Sequence, residues 1–564
     1  MAAPPTDSPL PHPDRRAPPR AAAGVTALLL AGLLPSLAPS RATDDAAPPA
    51  AALAAPARNL VVIVIDTLRA DRLSCYGYDK ATTPRLDQLA ARGLRFERAY
   101  STAPWTLPST ASLLTGLQPE MHRGTHFFAS LSPDCRLLAE QLAERGYESA
   151  AFVGNYFVQP LFGFARGFGS YDEGCMVDRG GINSDKISDA AIAWLDRRAA
   201  SAPDGGDAAA AAPFLLYLHY FDPHYNYWEH DGFKFGGEDT ERVFSGADIY
   251  ALREQQKRFD DADRARLSAL YDSEVAFTDH HVGRVLDHLT QRGHDDDTFV
   301  LVTADHGEAL GEHGWIGHTI QLYEESIRIP LLLKGPGLAP AVLGPDPVQL
   351  DDVLEPLLRL AGGTAAGSFA AGAGARLDAG LRPDEALCCV DTVGIEQSDD
   401  VPAPKSATRF PWKLFVDVAA DGSETYRLFK LDEPKGRKKK RLEDFPAQMR
   451  ELLEARADDW AAQKKERERT QATLTRRRAL VQGTWKLIVD LVSGERELYD
   501  LAADPHERQD LVDAQPERAA ALAQRLAELC DVLAANALPD GPPLDPDAAA
   551  EHRKNIEKSG YAHK

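Results

Sequence analysis

Side chains that could do acid–base or metal chemistry follow three aliphatic segments of this sequence: Asp66, His224, Asp305 and His306. Carboxylate and imidazole groups bind divalent ions such as Mn²⁺, Zn²⁺ or Ca²⁺, and an imidazole near an ester oxygen can protonate a leaving group. If the aliphatic segments are parallel strands, their carboxyl ends meet at one edge of the sheet, where open α/β folds bind ligands. A single Asp after such a run is often only a helix cap, but three strand ends carrying these groups predict one shared site.

A hydroxyl nucleophile is the second chemical feature. Thr106 lies in the segment PWTLPS, at or beside the first residue of a predicted helix. The start of a helix offers free N–H groups and positive partial charge, which favour an anionic ester. A Thr hydroxyl is a poor nucleophile at its ordinary pKa, and metal coordination is one way to activate it. An N-capping Thr without chemistry is the alternative.

The densest group of imidazoles lies in the segment 305–318, DHGEALGEHGWIGH, where glycines separate His306, His313 and His318. Glycine lets the backbone approach a bound group closely and adopt positive φ values. The segment therefore predicts a ligand-binding loop.

The elements that would position these residues alternate along the chain. Continuous aliphatic runs, typical of strands buried on both faces, occupy 60–65, 149–153, 214–220, 298–303 and 329–333. Helical patterns lie between them at 83–92, 106–115, 137–145 and 261–292. This alternation predicts an α/β fold with a doubly wound, mostly parallel sheet.

The C-terminal part contains a short repeat. The segment WKLFVD at 412–417 is echoed by WKLIVD at 485–490, and each copy continues into a turn, a second strand and a charged helical stretch, 443–466 or 516–536. Two hairpin-and-helix units predict a smaller α+β subdomain, although two short similar strands can also arise by coincidence. The basic run 436–441 is typical of a solvated loop.

The N-terminus has the composition of a targeting segment. Arginines precede the apolar stretch 21–37, and small residues and prolines follow it. This order predicts a secretory signal peptide and an exported, periplasmic or extracellular enzyme. An uncleaved membrane anchor and a disordered Ala/Pro arm remain alternatives, although the apolar stretch is short for a span of about 20 residues.

Charge and cysteine content exclude other classes. The chain has 564 residues and a formal net charge of −22, which disfavours nucleic-acid partners while a local pocket can still bind an anionic ester. Its 6 cysteines are too few for a disulfide scaffold, and none has the spacing of a thiolate zinc site.

Several motifs together resemble the sulfatase family of the alkaline-phosphatase superfamily. They are DTLRAD, TPRLDQLAARGLRFERAY, WTLPSTASLLTGLQP, FDPH, TADHGEALGEHG, LYEESIRIPLLL and the closing ELYDLAADP, spread over roughly residues 59–515. The resemblance implies an alkaline-phosphatase-like fold and hydrolysis of sulfuric or phosphoric esters.

The sequence departs from the usual sulfatase pattern at the nucleophile. Sulfatases mature a Cys or Ser to formylglycine, but Thr106 stands at that position and Thr110 replaces the Arg of the motif. Oxidation of Thr would give a ketone, so formylglycine is not expected. The downstream Lys and His of the family are replaced around Asn155, and His318 stands where many sulfatases have Lys.

A Thr nucleophile resembles the branch of phosphoglycerol and phosphoethanolamine transferases, and also phosphonate and phosphodiester hydrolases. The resemblance implies one divalent ion held by Asp66, Thr106, Asp305 and His306. An imidazole ligand favours Mn²⁺ or Zn²⁺, with Ca²⁺ possible.

We therefore expect an exported metal-dependent hydrolase of sulfate, phosphate or phosphonate esters. Thr106 would attack, His224 or His318 would protonate the leaving alcohol, and Asn155 and His313 would bind the substrate, a small or a glycan- or lipid-linked anionic ester. A transferase passing the same intermediate to an acceptor alcohol is one alternative. A non-catalytic binding protein of the same fold is the other, and membrane association is expected only if the N-terminal segment stays uncleaved.

The predicted domain organisation has four parts. These are a signal peptide and Ala/Pro-rich arm, a catalytic domain, an α+β subdomain and a tail, at 1–57, 58–400, 401–538 and 539–564.

Overall fold

The computed structural model describes residues 59–176, 183–200, 212–362, 381–392, 405–409, 412–418, 424–430, 438–439, 475–491 and 493–559. The predicted signal segment and the predicted helix 443–466 lie outside the described residues. Within the described residues, no helix combines the length and apolar character that crossing a membrane requires.

The strands, in chain order, are β1 Asn59–Ile65, β2 Leu94–Phe96, β3 Ala99–Tyr100, β4 Glu148–Val153, β5 Ser170–Asp172, β6 Phe214–Tyr220, β7 Thr298–Thr303, β8 Ala309–Leu310, β9 Ile316–Gly317, β10 Arg328–Ile329, β11 Leu331–Lys334, β12 Ala341–Leu343, β13 Val348–Gln349, β14 Glu385–Thr392, β15 Lys405–Arg409, β16 Trp412–Val418, β17 Glu424–Lys430, β18 Lys438–Lys439, β19 Thr475–Gln482, β20 Trp485–Asp490 and β21 Arg496–Asp500. The helices are α1 Pro84–Ala90, α2 Thr106–Thr115, α3 Pro119–His122, α4 Leu138–Ala143, α5 Ser184–Ala200, α6 Ile249–Gln255, α7 Asp261–Gln291, α8 Glu324–Ile327, α9 Leu354–Ala361, α10 Pro516–Ala535 and α11 Pro546–Ser559.

The largest sheet has the strand order β12-β2-β11-β7-β1-β6-β4-β5. The strands β7, β1, β6, β4 and β5 pair in parallel, whereas β11 runs antiparallel to β7. Every residue of β1, β6 and β7 is buried, as the aliphatic runs predict for strands covered on both faces. The predicted α/β fold with a mostly parallel sheet is confirmed.

Helices cover the sheet in two groups. In the first group α7 contacts α1 and α5, and in the second α2, α4 and α9 contact one another. Two helices of these groups, α5 and α9, are absent from the predicted helical patterns. Both contact strands of the sheet, so the double winding is more complete than the sequence patterns indicate.

The predicted strand 329–333 is wrong as a single element. Pro330 separates β10 from β11, and β10 pairs with β3 in a different sheet. Proline has no backbone N–H and cannot continue a ladder of hydrogen bonds, so the chain changes sheets at this residue.

The two WKL segments each form a strand of a four-stranded antiparallel sheet. The sheet orders are β15-β16-β17-β18 and β14-β19-β20-β21, with the WKL strands at β16 and β20. Helix α10 packs on β19 and β20, which confirms the predicted helix after the second copy. The hairpin repeat therefore exists at the level of the strands.

The last helix lies against the residues that follow β4. His552 of α11 packs edge-on against Phe157 and Phe162, with ring centroids 5.4 and 4.8 Å apart. Asp540, just before α11, forms an ion pair with Arg123 at 2.6 Å. The segment after 538 is therefore packed on the part of the chain that carries the candidate site.

Candidate active site

Three neighbouring strands bring the predicted acidic and imidazole residues together. Asp66 comes directly after the central strand β1, and Asp305 and His306 follow the adjacent β7 after one intervening residue, Ala304. On the other side of β1, His219 lies near the carboxyl end of β6, level with Val64 of β1. The four side chains are fully buried at one edge of the sheet.

The two carboxylates face the same two imidazoles. His219 Nε2 lies 3.4 Å from Asp66 Oδ2 and 4.0 Å from Asp305 Oδ2. His306 Nε2 lies 3.6 Å from Asp66 Oδ1 and 3.4 Å from Asp305 Oδ2. Ligand atoms of Asp66, His219 and Asp305 all lie within 4.8 Å of one another, a separation that one metal ion can bridge.

The chemistry of this donor set fits a divalent cation. Asp66 Oδ1 and Asp305 Oδ2 are buried and accept no hydrogen bond from the described residues. Burial and the neighbouring Asp66 carboxylate raise the pKa of Asp305 to about 6. Burial also acts to raise the pKa of Asp66, but the hydrogen bond from His219 and the nearby histidines lower it overall. A cation would compensate both charges, which buried carboxylates require.

Hydrogen bonds to the second ring nitrogen orient both imidazoles. His306 Nδ1 lies 3.0 Å from the carbonyl oxygen of Gly307, which can only accept, so this nitrogen carries the proton. Nε2 of His306 therefore presents its lone pair to the carboxylate side. His219 Nδ1 lies 3.1 Å from the Tyr217 hydroxyl, a contact that holds the ring with Nε2 toward the two carboxylates.

Thr106 is the first residue of α2 and borders the carboxylate group. Its Oγ1 lies 3.3 Å from His306 Nε2 and accepts a hydrogen bond of 3.1 Å from Asn155 Nδ2. Asn155 Nδ2 also donates to Asp66 Oδ2 at 2.5 Å. The N-cap residue of α2 is Trp105. Thr106 therefore does not have the purely structural role of an N-capping residue, which was the alternative to a nucleophile.

Asn155 is held in place by the turn that follows β4. Its Oδ1 accepts a 2.7 Å hydrogen bond from the backbone N–H of Phe157. This bond fixes which side of the amide faces the site, so that Nδ2 points to Thr106 and Asp66. The structure thus places the predicted substrate-binding residue Asn155 beside the nucleophile candidate.

The two predicted proton donors lie on the far side of His306. The His318 ring centroid is 4.4 Å from that of His306 and 4.8 Å from that of His224. Nδ1 of His224 lies 2.6 Å from Tyr225 O, and Nδ1 of His318 lies 3.1 Å from Glu308 Oε2. Burial lowers the pKa of His224 to about 4 and that of His318 well below its usual value.

His313 does not join this group. Its Nδ1 pairs with Glu325 Oε1 at 2.8 Å, its Nε2 lies 3.1 Å from Glu507 O, and its ring stacks on Tyr323 with centroids 3.7 Å apart. The structure therefore places this predicted substrate-binding residue against the C-terminal subdomain. His313 lies in the loop 305–318, as predicted, but its side chain points away from the carboxylates and toward the C-terminal subdomain.

His219 is the residue that sequence reasoning missed. It is part of FLLYLHY, a run that predicts only a buried strand. The available signal was a titratable ring near the carboxyl end of an otherwise apolar and aromatic run. Buried strands rarely carry such a group without a partner, and here the partners are Asp66 and Asp305.

Comparison with known proteins identifies relatives of the same chemistry. A family model described as Sulfatase matches residues 58–363. The choline-sulfatase of Rhizobium meliloti is 26% identical over 347 residues, which cover 54% of this chain and 67% of the relative. The arylsulfatase of Clostridium perfringens is 26% identical over 341 residues, covering 50% of this chain and 69% of the relative. The chain thus spans about two thirds of the length of these relatives.

Solved structures share the fold. The phosphonate monoester hydrolase of Agrobacterium radiobacter superposes with a TM-score of 0.55 at 18% identity, covering 84% of this chain and 96% of that one. A structure solved in complex with its substrate D-glucosamine-2-N,6-O-disulfate gives a TM-score of 0.53 at 17% identity, covering 86% and 98% of the two chains.

Proposed function

The chain belongs to the sulfatase family of sulfuric and phosphoric ester hydrolases, and on that premise we propose that Thr106, rather than a formylglycine, is its nucleophile. The observation that carries this proposal is the position of the Thr106 hydroxyl, between His306 Nε2 and Asn155 Nδ2 and beside two buried carboxylates. The family position of the nucleophile and the site geometry select the same residue.

We further propose that one divalent ion is held by Asp66, His219, Asp305 and His306, next to the Thr106 oxygen. This extends the sequence-predicted ligand set by His219. The bound ion would lower the pKa of the Thr106 hydroxyl and withdraw charge from the substrate. Two imidazole donors favour Mn²⁺ or Zn²⁺ over Ca²⁺, which prefers an all-oxygen site.

The remaining residues then have defined tasks. Asn155 Nδ2 holds the Thr106 oxygen by its 3.1 Å hydrogen bond, so that the oxygen faces the incoming phosphorus or sulfur. Thr106 Oγ1 loses its proton to solvent and forms a bond to that atom while the bond to the leaving oxygen breaks, and a proton reaches the leaving oxygen from His224 or His318. Water then attacks the Thr106 ester and gives a proton back to that histidine, while the bond to Thr106 Oγ1 breaks and Oγ1 takes up a proton from solvent.

The proton would come from Nε2 of these histidines, because Nδ1 of each is engaged with Tyr225 O or Glu308 Oε2. Burial favours the neutral rings in the free protein. The negative charge of a bound ester acts in the opposite direction and favours the protonated ring.

The nucleophile argues for a phosphorus ester as the better substrate. An alkoxide suits phosphoryl transfer, whereas sulfatases rely on the formylglycine hydrate to release sulfate. We propose a small or glycan-linked phosphate or phosphonate ester as the preferred class and a sulfate ester as the second. A panel of aryl sulfate, phosphodiester and phosphonate monoester substrates, assayed with metal analysis of the same sample, tests this order. Faster turnover of the sulfate than of both phosphorus esters would overturn it.

A transferase would use the same Thr106 intermediate. Adding glycerol or ethanolamine to the reaction distinguishes the two activities, because a transferase forms the corresponding diester while a hydrolase releases the acid. The sulfatase-family membership leaves the non-catalytic alternative without support.

Replacing His318 by glutamine should slow the reaction according to the leaving group. Without a proton donor, we expect an alkyl ester to lose about 10²- to 10⁴-fold in rate, while a 4-nitrophenyl ester, whose phenolate needs no proton, loses far less. His224→Gln tests the same role for the second ring. His313→Gln is the matched control, since this ring lies against the C-terminal subdomain. Equal losses on both esters for both variants would contradict acid catalysis by these rings.

Export remains a proposal that rests on the basic lead and apolar stretch of residues 1–57. On expression of the full chain in a bacterial host, we expect the protein outside the cytoplasm, with a mature terminus between Ser40 and Ala57. N-terminal sequencing of each cell fraction measures this. A soluble cytoplasmic protein that retains Met1 would refute export.

A further inference from the structure

Arg253 is a guanidinium held against aromatic rings at the border of the site. It lies in α6, between β6 and α7, and its Cζ is 4.3 Å from the ring centroid of Trp315 and 5.7 Å from that of Tyr225. Its Nε donates a 2.6 Å hydrogen bond to Ile316 O. Stacking on an indole together with a backbone bond fixes the plane of the guanidinium.

Arg253 forms no ion pair within the part of the chain that the structure describes. It acts to lower the pKa of the Glu308 carboxyl, but burial raises that pKa well above its usual value overall, which favours the neutral carboxyl. No carboxylate lies within the 4.0 Å of an ion pair, and only its Nε donates to an acceptor there. Arg69 shows the usual arrangement for comparison, since it pairs with Asp71 at 2.7 Å and with Glu312 at 2.8 Å. The terminal amino groups of Arg253 are therefore available to bind an anion.

These amino groups lie beside the proposed proton donors. Arg253 Nη2 contacts the backbone of Gly317 so closely that a Cβ added there would collide with it. The same Cβ would lie 3.4 Å from Glu308 Oε1, so Nη2 lies next to the hydrogen-bonded pair of Glu308 and His318. The Tyr225 ring links the two, stacking on His318 at 5.2 Å. The positive charge of Arg253 also acts to lower the pKa of His224 and of His318.

Arg253 is also accessible, in contrast to the nucleophile. Arg253, Tyr250 and Trp315 are each partly exposed, whereas Thr106 and His318 are fully buried. Arg253 thus stands between solvent and the two histidines that face the leaving group. A substrate bound at Thr106 would extend its alcohol portion in this direction.

We propose that Arg253 determines specificity by binding a second anionic oxygen group, such as a carboxylate, phosphate or sulfate, on the alcohol portion of the ester. Trp315 and Tyr225 hold the guanidinium in place for this contact. The inference rests on the proposed function, because it takes the side of His224 and His318 as the leaving-group side. We expect an ester of a quaternary ammonium alcohol to bind poorly here. The guanidinium of Arg253 already contacts the aromatic rings that could bind the ammonium group, and it would repel that group.

Two aryl esters that differ by one carboxylate on the leaving phenol test this inference. For the full-length enzyme, we expect Arg253→Gln to raise KM for the carboxylated ester by about 10- to 100-fold, the size of a charge-assisted hydrogen bond. KM and kcat for the ester without the carboxylate should stay within about twofold of wild type, because its aryl leaving group needs no proton from His224 or His318. Arg253→Lys should recover part of the loss, and Arg253→Glu should prefer an ester with a trimethylammonium group. Arg242→Gln is the matched control, because Arg242 also lies between β6 and α7 but pairs with Asp260.

Equal effects of Arg253→Gln on both esters, or no effect on the carboxylated one, would overturn the inference. The test of Arg253 is separate from the test of the nucleophile. Thr106→Ala is assayed on the ester without the carboxylate, which does not contact Arg253. If Thr106→Ala stays active while Arg253→Gln discriminates between the esters, the nucleophile is wrong and the anion subsite stands.

Discussion

Replacing Thr106 by alanine abolishes turnover of every ester that the wild-type enzyme cleaves. We expect a loss of at least about 10⁴-fold, equivalent to about 5.5 kcal/mol of barrier, because no other described hydroxyl contacts both His306 Nε2 and Asn155 Nδ2. Thr106→Ser keeps the hydroxyl and should retain activity within about 10- to 100-fold of wild type. Steady-state rates on the most reactive ester of the panel measure both variants.

The control for this experiment lies in the same helix. Thr115 is buried at the end of α2, and its hydroxyl donates to Ala111 O without contacting the site. Thr115→Ala should keep wild-type kinetics, and both alanine variants should show unfolding transitions close to that of wild type. Hydrolysis by Thr106→Ala at the wild-type rate would mean that water attacks the substrate directly.

We expect that replacing Asp305 by asparagine removes both metal binding and activity. We expect wild-type protein to bind about one equivalent of Mn²⁺ or Zn²⁺, and the variant below about one tenth of that, because the amide cannot balance the cation's charge. Asp66→Asn should behave alike, and His219→Gln should weaken binding, which tests the ligand that the sequence did not reveal. Elemental analysis of purified protein gives the stoichiometry.

Metal addition also reports on stability. Asp66 and Asp305 are buried carboxylates that repel each other, and their compensation by a cation should raise the melting temperature of chelator-treated wild type. The rise should be lost in Asp305→Asn, while the surface variant Asp287→Asn, whose ion pair with Arg85 is exposed, should keep it. Protein that contains only Ca²⁺, with activity indifferent to Mn²⁺ and Zn²⁺, would contradict the proposed metal identity.

The sequence predicted the part of the site that follows from strand order. Asp66 comes directly after one aliphatic run, Asp305 and His306 come shortly after another, and parallel neighbours in a sheet place such residues side by side. Thr106 was predicted from its place at the start of a helix as well as from the family resemblance, Asn155 came from the resemblance, and the structure brings both to the same group. These positions depend on sheet topology, which alternating strands and helices indicate well.

The other features of the site and fold depend on side-chain orientation and strand register, which the sequence patterns do not indicate. His219 lies within a strand, and which face of a buried strand it occupies depends on register with β1. His313 lies in a glycine-rich loop, where neighbouring residues turn to opposite sides, and its φ of 49° is one such change of direction. Pro330 divided a run that hydrophobicity alone predicted as one strand.

The stereochemistry of hydrolysis at phosphorus tests the central claim most directly. A phosphonate monoester made chiral by oxygen isotopes is hydrolysed by the wild-type enzyme in labelled water, and the configuration of the product is determined. Attack by Thr106 followed by attack of water is a sequence of two in-line displacements, so the account predicts net retention of configuration. Inversion would show a single displacement by water and would contradict a covalent Thr106 intermediate.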